Sequence, residues 1–221
     1  MKPPEYLRDH ADDIRRCSVD LHTIEFHVDR WSSKLRSIGA WPRFADAFGR
    51  GRISRRELFD FQVTSPIDVE ALFVGVMAWG YGTVGYGPWR TERAFDRHAF
   101  GAHIQALYDM VSHGDLLAAY QTVDVPRCGS AFFTKFFYFV GRPRLKRYPL
   151  ILDAVVARSF EELLGLDVSR YASAARNRER RIASVSRNAA GYMRYIDDMH
   201  QWAADLDCRA DEIEMFLFQR G

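Results

Sequence analysis

Cysteine is scarce. The three present, Cys17, Cys128 and Cys208, stand far apart, which excludes a disulfide framework and the clustered spacing of a zinc site. That usage fits a reducing, cytoplasmic setting. Long apolar runs are missing too: the most apolar stretch, Leu72 to Trp89, is broken by Gly75, Gly80, Gly82, Gly85, Gly87 and Pro88, short of the roughly 20 residues a membrane-spanning helix needs. Residues Met1 to Asp13 carry an early lysine but no apolar core, so no secretory signal is expected. Neither charge dominates, with Lys plus Arg at 31 and Asp plus Glu at 29, which argues against a histone-like protein wrapped in nucleic acid. No repeat or low-complexity tract stands out. The histidines offer no metal pair, since His22 and His27 are five apart, as are His98 and His103, rather than at the i, i+4 spacing that puts two ligands on one helical face. No metal and no cofactor are expected.

What is present is an aromatic-rich globular composition. Of 221 residues 48% are apolar, among them 16 Phe, 10 Tyr and 5 Trp, enough for one folded unit, expected as a monomer. Apolar residues recur at three and four rather than alternating, which predicts an all-α fold. Between Asn188 and Leu206, Ala189, Met193, Ile196, Met199, Ala203 and Leu206 form one helical stripe, and Asp211 to Phe218 offers a short final helix. Ser65 as cap with Pro66 at the first helical position predicts a further helix start. His98–Met110 and Asp115–Tyr120 suggest two more helices, and the glycines of Arg50–Arg56 mark the best linker. Residues 149–157, PLILDAVVA, allow a buried strand, but a helix beginning near Asp153 is preferred.

Charge is informative by position. Arg142, Arg144, Lys146 and Arg147 follow one apolar helix, and Arg170, Arg176, Arg178, Arg180, Arg181 and Arg187 gather in a second stretch. Either could neutralise phosphates; a solvated helix face is the plainer reading of the second. Asp9, Asp12, Asp13, Asp20, Glu25 and Asp29 make the opening segment acidic, so it is expected to face away from a polyanion.

Two segments carry chemistry. Val125–Gly141, VPRCGSAFFTKFFYFVG, reads as a tight turn opening an aromatic helix. The free backbone N–H groups of Gly129, Ser130 and Ala131 would form a phosphate seat there, although Pro and Gly before a helix are common in purely structural turns. Downstream, Asp153 lies inside PLILDAVVARSF, with Arg158 five positions on. A carboxylate among apolar residues must be capped, paired or catalytic. It could cap its own helix, or oppose a developing positive charge at a dry cleft.

These segments resemble the helix-hairpin-helix DNA glycosylases, specifically the 8-oxoguanine glycosylase-like group. There a hairpin of the form L-P-G-V-G opens a helix, and an Asp follows after roughly twenty residues in a V-D or L-D segment. Val125, Pro126, Cys128 and Gly129 match four hairpin positions, and Leu152 with Asp153 matches the Asp segment. Arg127 replaces the first hairpin glycine and could add a phosphate contact. The family's nucleophilic lysine, two residues after the second hairpin glycine, is Ala131 here; Lys135, one helical turn later, could still reach the cleft or else snorkel to solvent. The segment Leu72–Thr91, LFVGVMAWGYGTVGYGPWRT, is similar to a bacterial branch of the same fold, some of it associated with defence against phage. The resemblance covers residues 65–160.

The resemblance implies an all-α fold with a cleft between two helical subdomains, approximately 65–125 and 126–160, within a single domain spanning 1–221. It implies double-stranded DNA holding a damaged or modified base as partner, the nucleotide flipped out, and Asp153 stabilising an oxocarbenium-like sugar. Lys135 could attack the sugar and leave a Schiff base; otherwise water does. Arg127, Gly129, Ser130 and Arg158 are expected at phosphates. Tyr86, Trp89 and Arg90 are expected on a glycine-rich loop that stacks on a base or wedges into the duplex, with Trp79 either in that loop or in the buried helix before it. Met215, Phe216 and Phe218 could close the base pocket or simply pack the core. Open alternatives are a glucosylated hydroxymethylcytosine of phage DNA, 8-oxoguanine, or a DNA-binding module without chemistry.

Overall fold

The computed structural model describes residues 1–63 and 66–221. Among these the chain is mostly helical with little strand, as the apolar spacing predicts. The first half runs α1 (Glu5–Asp9), α2 (Ala11–Arg15), β1 (Thr23–Glu25), α3 (Val28–Leu35), α4 (Ala40–Phe48), β2 (Arg52–Ser54), α5 (Arg55–Gln62) and α6 (Val69–Tyr81). Then come α7 (Gly87–Ala94), α8 (Phe100–Ser112), α9 (Leu116–Thr122) and α10 (Ser130–Gly141). The chain closes with α11 (Ala154–Glu162), β3 (Ser173–Arg176), β4 (Ile182–Ser186), α12 (Ala189–Asp205) and α13 (Ala210–Phe218).

Two apolar helices organise the rest. α6 has eleven of its thirteen residues buried and α10 ten of twelve, the composition of helices covered on all sides rather than amphipathic ones. α10 packs on α5, α6, α8 and β4, while α11 and α12 both lie on α13. The two chain ends meet, with the Tyr6 and Phe216 rings 6.1 Å apart. Buried apolar residues from Leu7 to Leu217 form one contiguous core.

Several expectations need correction. The expected cap at Ser65 lies outside the described residues. Pro66 precedes α6 instead of opening it; Asp68 is the cap, its carboxylate accepting from the Ala71 N–H at 2.9 Å. Arg50–Arg56 is no linker, because β2 pairs antiparallel with β1 and Arg55 is buried at the start of α5. The second basic stretch is a two-stranded hairpin, β3 with β4, rather than a helix face. Short strands escape an all-α reading because three to five residues give too little alternation to register. Within that hairpin Arg176 and Arg181 pair with Glu161 and Glu162 of α11. Of the first basic cluster, Arg142 pairs with buried Asp211, Arg147 with Asp197, and Arg144 donates to the Tyr108 hydroxyl. Those side chains hold partners within the chain.

Candidate active site

The hairpin consists of α9, a turn over 123–129, and α10. Val123, Val125 and Cys128 point inward and are buried, and the Cys128 N–H closes the turn on the Val125 carbonyl at 3.1 Å. Burial pushes the Cys128 thiol up to about 12, although Arg187 and Lys135 pull it down, so it is no nucleophile at neutral pH. Arg127 sits at φ 61, the left-handed region glycine prefers. Gly129 is extended (φ −77, ψ 176), and a Cβ built on it would meet nothing within 4 Å. The fold therefore does not need glycine at 129, and its backbone is open to close approach from outside. No hydrogen bond among the described residues takes the N–H of Gly129, Ser130 or Ala131. The Ser130 hydroxyl, by contrast, donates to the Val185 carbonyl at 2.7 Å and ties α10 to β4.

One turn into α10, Lys135 folds back over the position where the resemblance would place a lysine. Its Nζ donates to the Ala131 carbonyl at 3.1 Å and to Asp153 Oδ2 at 3.0 Å, with the two side chains only 9% and 13% exposed. Gly80 of α6 makes room for that route, since a Cβ there would lie 3.1 Å from Lys135 Cδ and 2.9 Å from Phe132 Cε1. Asp153 is both cap and ion-pair partner. Its Oδ1 accepts the Val155 and Val156 N–H groups at 3.0 and 3.1 Å while Oδ2 faces Lys135. Burial opposes the carboxylate's charge, but Lys135 and the two N–H groups outweigh it and hold the group below its ordinary range.

Asp153 is reached through an extended stretch whose backbone is held by side chains from three helices. Tyr192 and Tyr195 of α12 donate to the carbonyls of Leu150 and Ile151, both at 2.8 Å. Glu214 of α13 accepts the Ile151 N–H at 3.2 Å, and Thr134 of α10 the Leu152 N–H at 3.3 Å. Glu214 in turn pairs with Arg55 at 2.9 Å, both fully buried, and the Arg55 guanidinium lies 5.1 Å over the Trp79 ring.

Lys135, Asp153, Arg55 and Glu214 line one enclosed cavity of about 90 Å³, with Trp79, Gly80, His22 and Phe218 in its wall. A wider recess of about 440 Å³, formed by β1 and residues 79–83, shares Ile24, Trp79 and Gly80 with it. Glu25, the last residue of β1, stands in this recess, carried there by the pairing of β1 with β2. Trp79 belongs to the buried part of α6, and Phe218 lines the cavity while Met215 and Phe216 are core. A larger groove, about 580 Å³ between the start of α9 and α12, is lined by no Cys, Ser, Thr, Lys or His.

Around the hairpin three guanidiniums lack a carboxylate partner among the described residues. Arg127 lies 5.5 Å over Trp89, Arg90 4.6 Å over Tyr86 and Arg187 5.3 Å over Phe133. Tyr86 and Trp89 are 53% and 38% exposed. The expected mobile loop is shorter than the glycines suggest, because Gly87 already begins α7 and places Trp89 and Arg90 on its first turn. Arg158 is not brought to this group. Its Nη1 donates to the Ile182 carbonyl at 3.1 Å and fastens α11 to β4.

Residues 18–218 match the family model described as "Putative 8-oxoguanine DNA glycosylase OGG-like protein". The chain belongs to this family of DNA glycosylases. No curated protein and no solved structure matches it. The OGG-like match extends well beyond the hairpin and the Asp segment, and takes in both His22 and Phe218 of the cavity wall. Sequence reasoning missed Arg55, Glu214, His22 and Arg187. Arg187 stood within the basic stretch, and the others carry no local signal, since only folding brings residues 22, 55 and 214 beside Asp153.

Proposed function

We propose that this OGG-like protein excises a damaged or modified base from double-stranded DNA by breaking the N-glycosidic bond. The observation that carries the reading is the Lys135–Asp153 pair, 3.0 Å apart in a nearly closed cavity of a chain whose preceding hairpin offers free N–H groups. Phosphates would seat on Gly129 and the N–H groups beside it and draw on Arg127, Arg90 and Arg187. Tyr86 and Trp89, already partly exposed beside Arg90 and Arg127, would stack on or wedge between bases.

The chemistry follows from charge. As the C1′–N bond breaks, its electron pair leaves with the base, which takes up a proton, and positive charge grows on the sugar. Asp153, ionised and held by two N–H groups, faces that charge from a site organised in advance. Nucleophilic attack by Lys135 requires its nitrogen lone pair, so a proton leaves Nζ first; Nζ then bonds to C1′ as the base leaves, and breaking of the C1′–O4′ bond, with a second amine proton passing to O4′, gives the Schiff base that permits strand cleavage. With water as nucleophile the product is an abasic site and the strand stays intact.

The enclosed cavity has room for only a few waters, below the roughly 300–1,000 Å³ of ordinary ligand pockets. The adjoining recess supplies the missing space, and being open it accommodates a substituent projecting from the base. This favours a bulky modified pyrimidine, such as the glucosylated hydroxymethylcytosine of phage DNA, over 8-oxoguanine, and a role in antiviral defence over ordinary repair. Mass spectrometry of bases released from host and modified-phage DNA, with Asp153→Asn as control, tests the reading. Release by the native protein alone supports it; no release from either DNA, with binding intact, leaves a DNA-binding module.

A further inference from the structure

The charged groups of the cavity are paired with one another, Arg55 with Glu214 and the Tyr138 hydroxyl, Lys135 with Asp153, and Asp153 also with its own helix, although Arg55 Nε is buried without a partner. His22 is different. Its backbone is pinned on both sides, the N–H on the Val19 carbonyl at 3.2 Å and the carbonyl on the Arg55 N–H at 3.0 Å. Its ring is set edge-on to Trp79 and Phe218, with centroids 5.6 and 5.9 Å away. Among the described residues neither ring nitrogen makes a hydrogen bond. The Trp79 indole N–H in the same wall is buried and also without a partner. A half-buried polar side chain fixed this firmly in the cavity wall, its ring nitrogens bonded to no protein group and a buried indole N–H without a partner beside it, is placed to meet a ligand.

We propose that His22 is the specificity-determining residue that reads the extruded base, its ring N–H donating to a carbonyl oxygen of that base. The assignment rests on the glycosylase reading above. A carbonyl oxygen accepts two hydrogen bonds, so two unpartnered donors in one wall, His22 and Trp79, suit an oxo-base rather than adenine. Burial, and then the Arg55 charge, push the imidazole down to about 4, so the ring is neutral at physiological pH and keeps one N–H and one lone pair. The neutral ring thus selects on hydrogen bonding without adding a second cation beside Lys135.

The test compares native protein with His22→Phe, which keeps the ring packing against Trp79 and Phe218, and His22→Gln, which restores a donor and an acceptor. Base release from host and modified-phage DNA is followed by mass spectrometry, and binding is measured on a duplex carrying a tetrahydrofuran abasic analogue, which has no base to read. The expected result is a carbonyl-bearing base released by native protein, release slowed about tenfold to a hundredfold by His22→Phe and partly recovered by His22→Gln, and abasic binding unchanged in both. Equal release by His22→Phe and native protein overturns the assignment and leaves the glycosylase reading standing. So does release of an adenine derivative, or a parallel loss of abasic binding in both variants. If native protein releases no base from any DNA, both fall together.

Discussion

Replacing Asp153 by Asn separates the structural role of this side chain from its chemical one. Asparagine caps a helix about as well as aspartate, so the Val155 and Val156 N–H groups keep their acceptor. What disappears is the charge opposite Lys135. Removing one partner of a fully buried pair costs about 3–5 kcal/mol. Here the side chains are 9% and 13% exposed and Nζ keeps the Ala131 carbonyl as an acceptor, which brings the cost to about 2 kcal/mol. For a chain of this length that lowers the melting temperature by about 4–8 °C, leaving the protein folded at 25 °C. Chemistry should suffer far more, because the lost charge faced the transition state: about 10²–10³-fold in single-turnover base release. Thermal melts, duplex binding and single-turnover release on one preparation check all three. A variant that melts lower as expected, binds DNA and still releases base within threefold of native protein would refute the electrostatic role.

Other outcomes are open to direct measurement. Borohydride should trap native protein on substrate DNA if Lys135 forms the Schiff base, and should trap nothing with Lys135→Gln; equal trapping by both removes Lys135 as nucleophile. Arg127→Gly relieves a left-handed residue worth about 1 kcal/mol but adds unfolded-chain entropy of similar size. Its melting temperature should therefore barely move, while the slope of log affinity against log salt falls by about 0.9; an unchanged slope means that Arg127 meets no phosphate. The Asp153 carboxyl is held below its ordinary 3.8. The stability it contributes is therefore fully present above that pH and lost only as pH falls through the lower folded value. An acid limb of activity near about pH 5–6 that Asp153→Asn abolishes contradicts this ordering.

How much of this was legible beforehand depended on how locally each feature is encoded. The stripe from Ala189 to Leu206 repeats a spacing along one segment, and α12 follows it with Asn188 as cap. The helix preferred near Asp153 begins at Ala154 with Asp153 as its cap, and the second carboxylate oxygen faces Lys135, a partner no local pattern announces. The basic clusters misled because charge density in sequence says nothing of where carboxylates lie; Glu161, Glu162, Asp197 and Asp211 take up four of those arginines only after folding. The wall of the cavity was invisible for the same reason. Each of His22, Arg55 and Glu214 reads singly as an ordinary polar residue, and their meaning lies in contacts between segments far apart in the chain.

Gly80 ties the last of these points to a measurement. The glycines of Leu72–Thr91 read in sequence as turn and loop signals, yet Gly80 lies inside α6, where glycine costs roughly 0.5–1 kcal/mol relative to alanine. Its compensation is space, for Phe132 and the Lys135 stem pass within 2.9 and 3.1 Å of where a Cβ would stand. In Gly80→Ala the helix gains propensity while the new methyl crowds α10, an overpacking worth about 1–3 kcal/mol, so the net loss of stability should be at most about 2 kcal/mol. The aromatic ring is wedged against Tyr81, centroids 4.0 Å apart, whereas the lysine stem is flexible and gives way first. Nζ is then displaced from Asp153, and a misplacement of about 1 Å can cost 10²-fold in rate. Base release should therefore fall much further than the melting temperature implies, with duplex binding retained. Unaltered release in a folded Gly80→Ala protein would mean that the reach of Lys135 across α6 has no part in the reaction, and that Asp153 works with water alone.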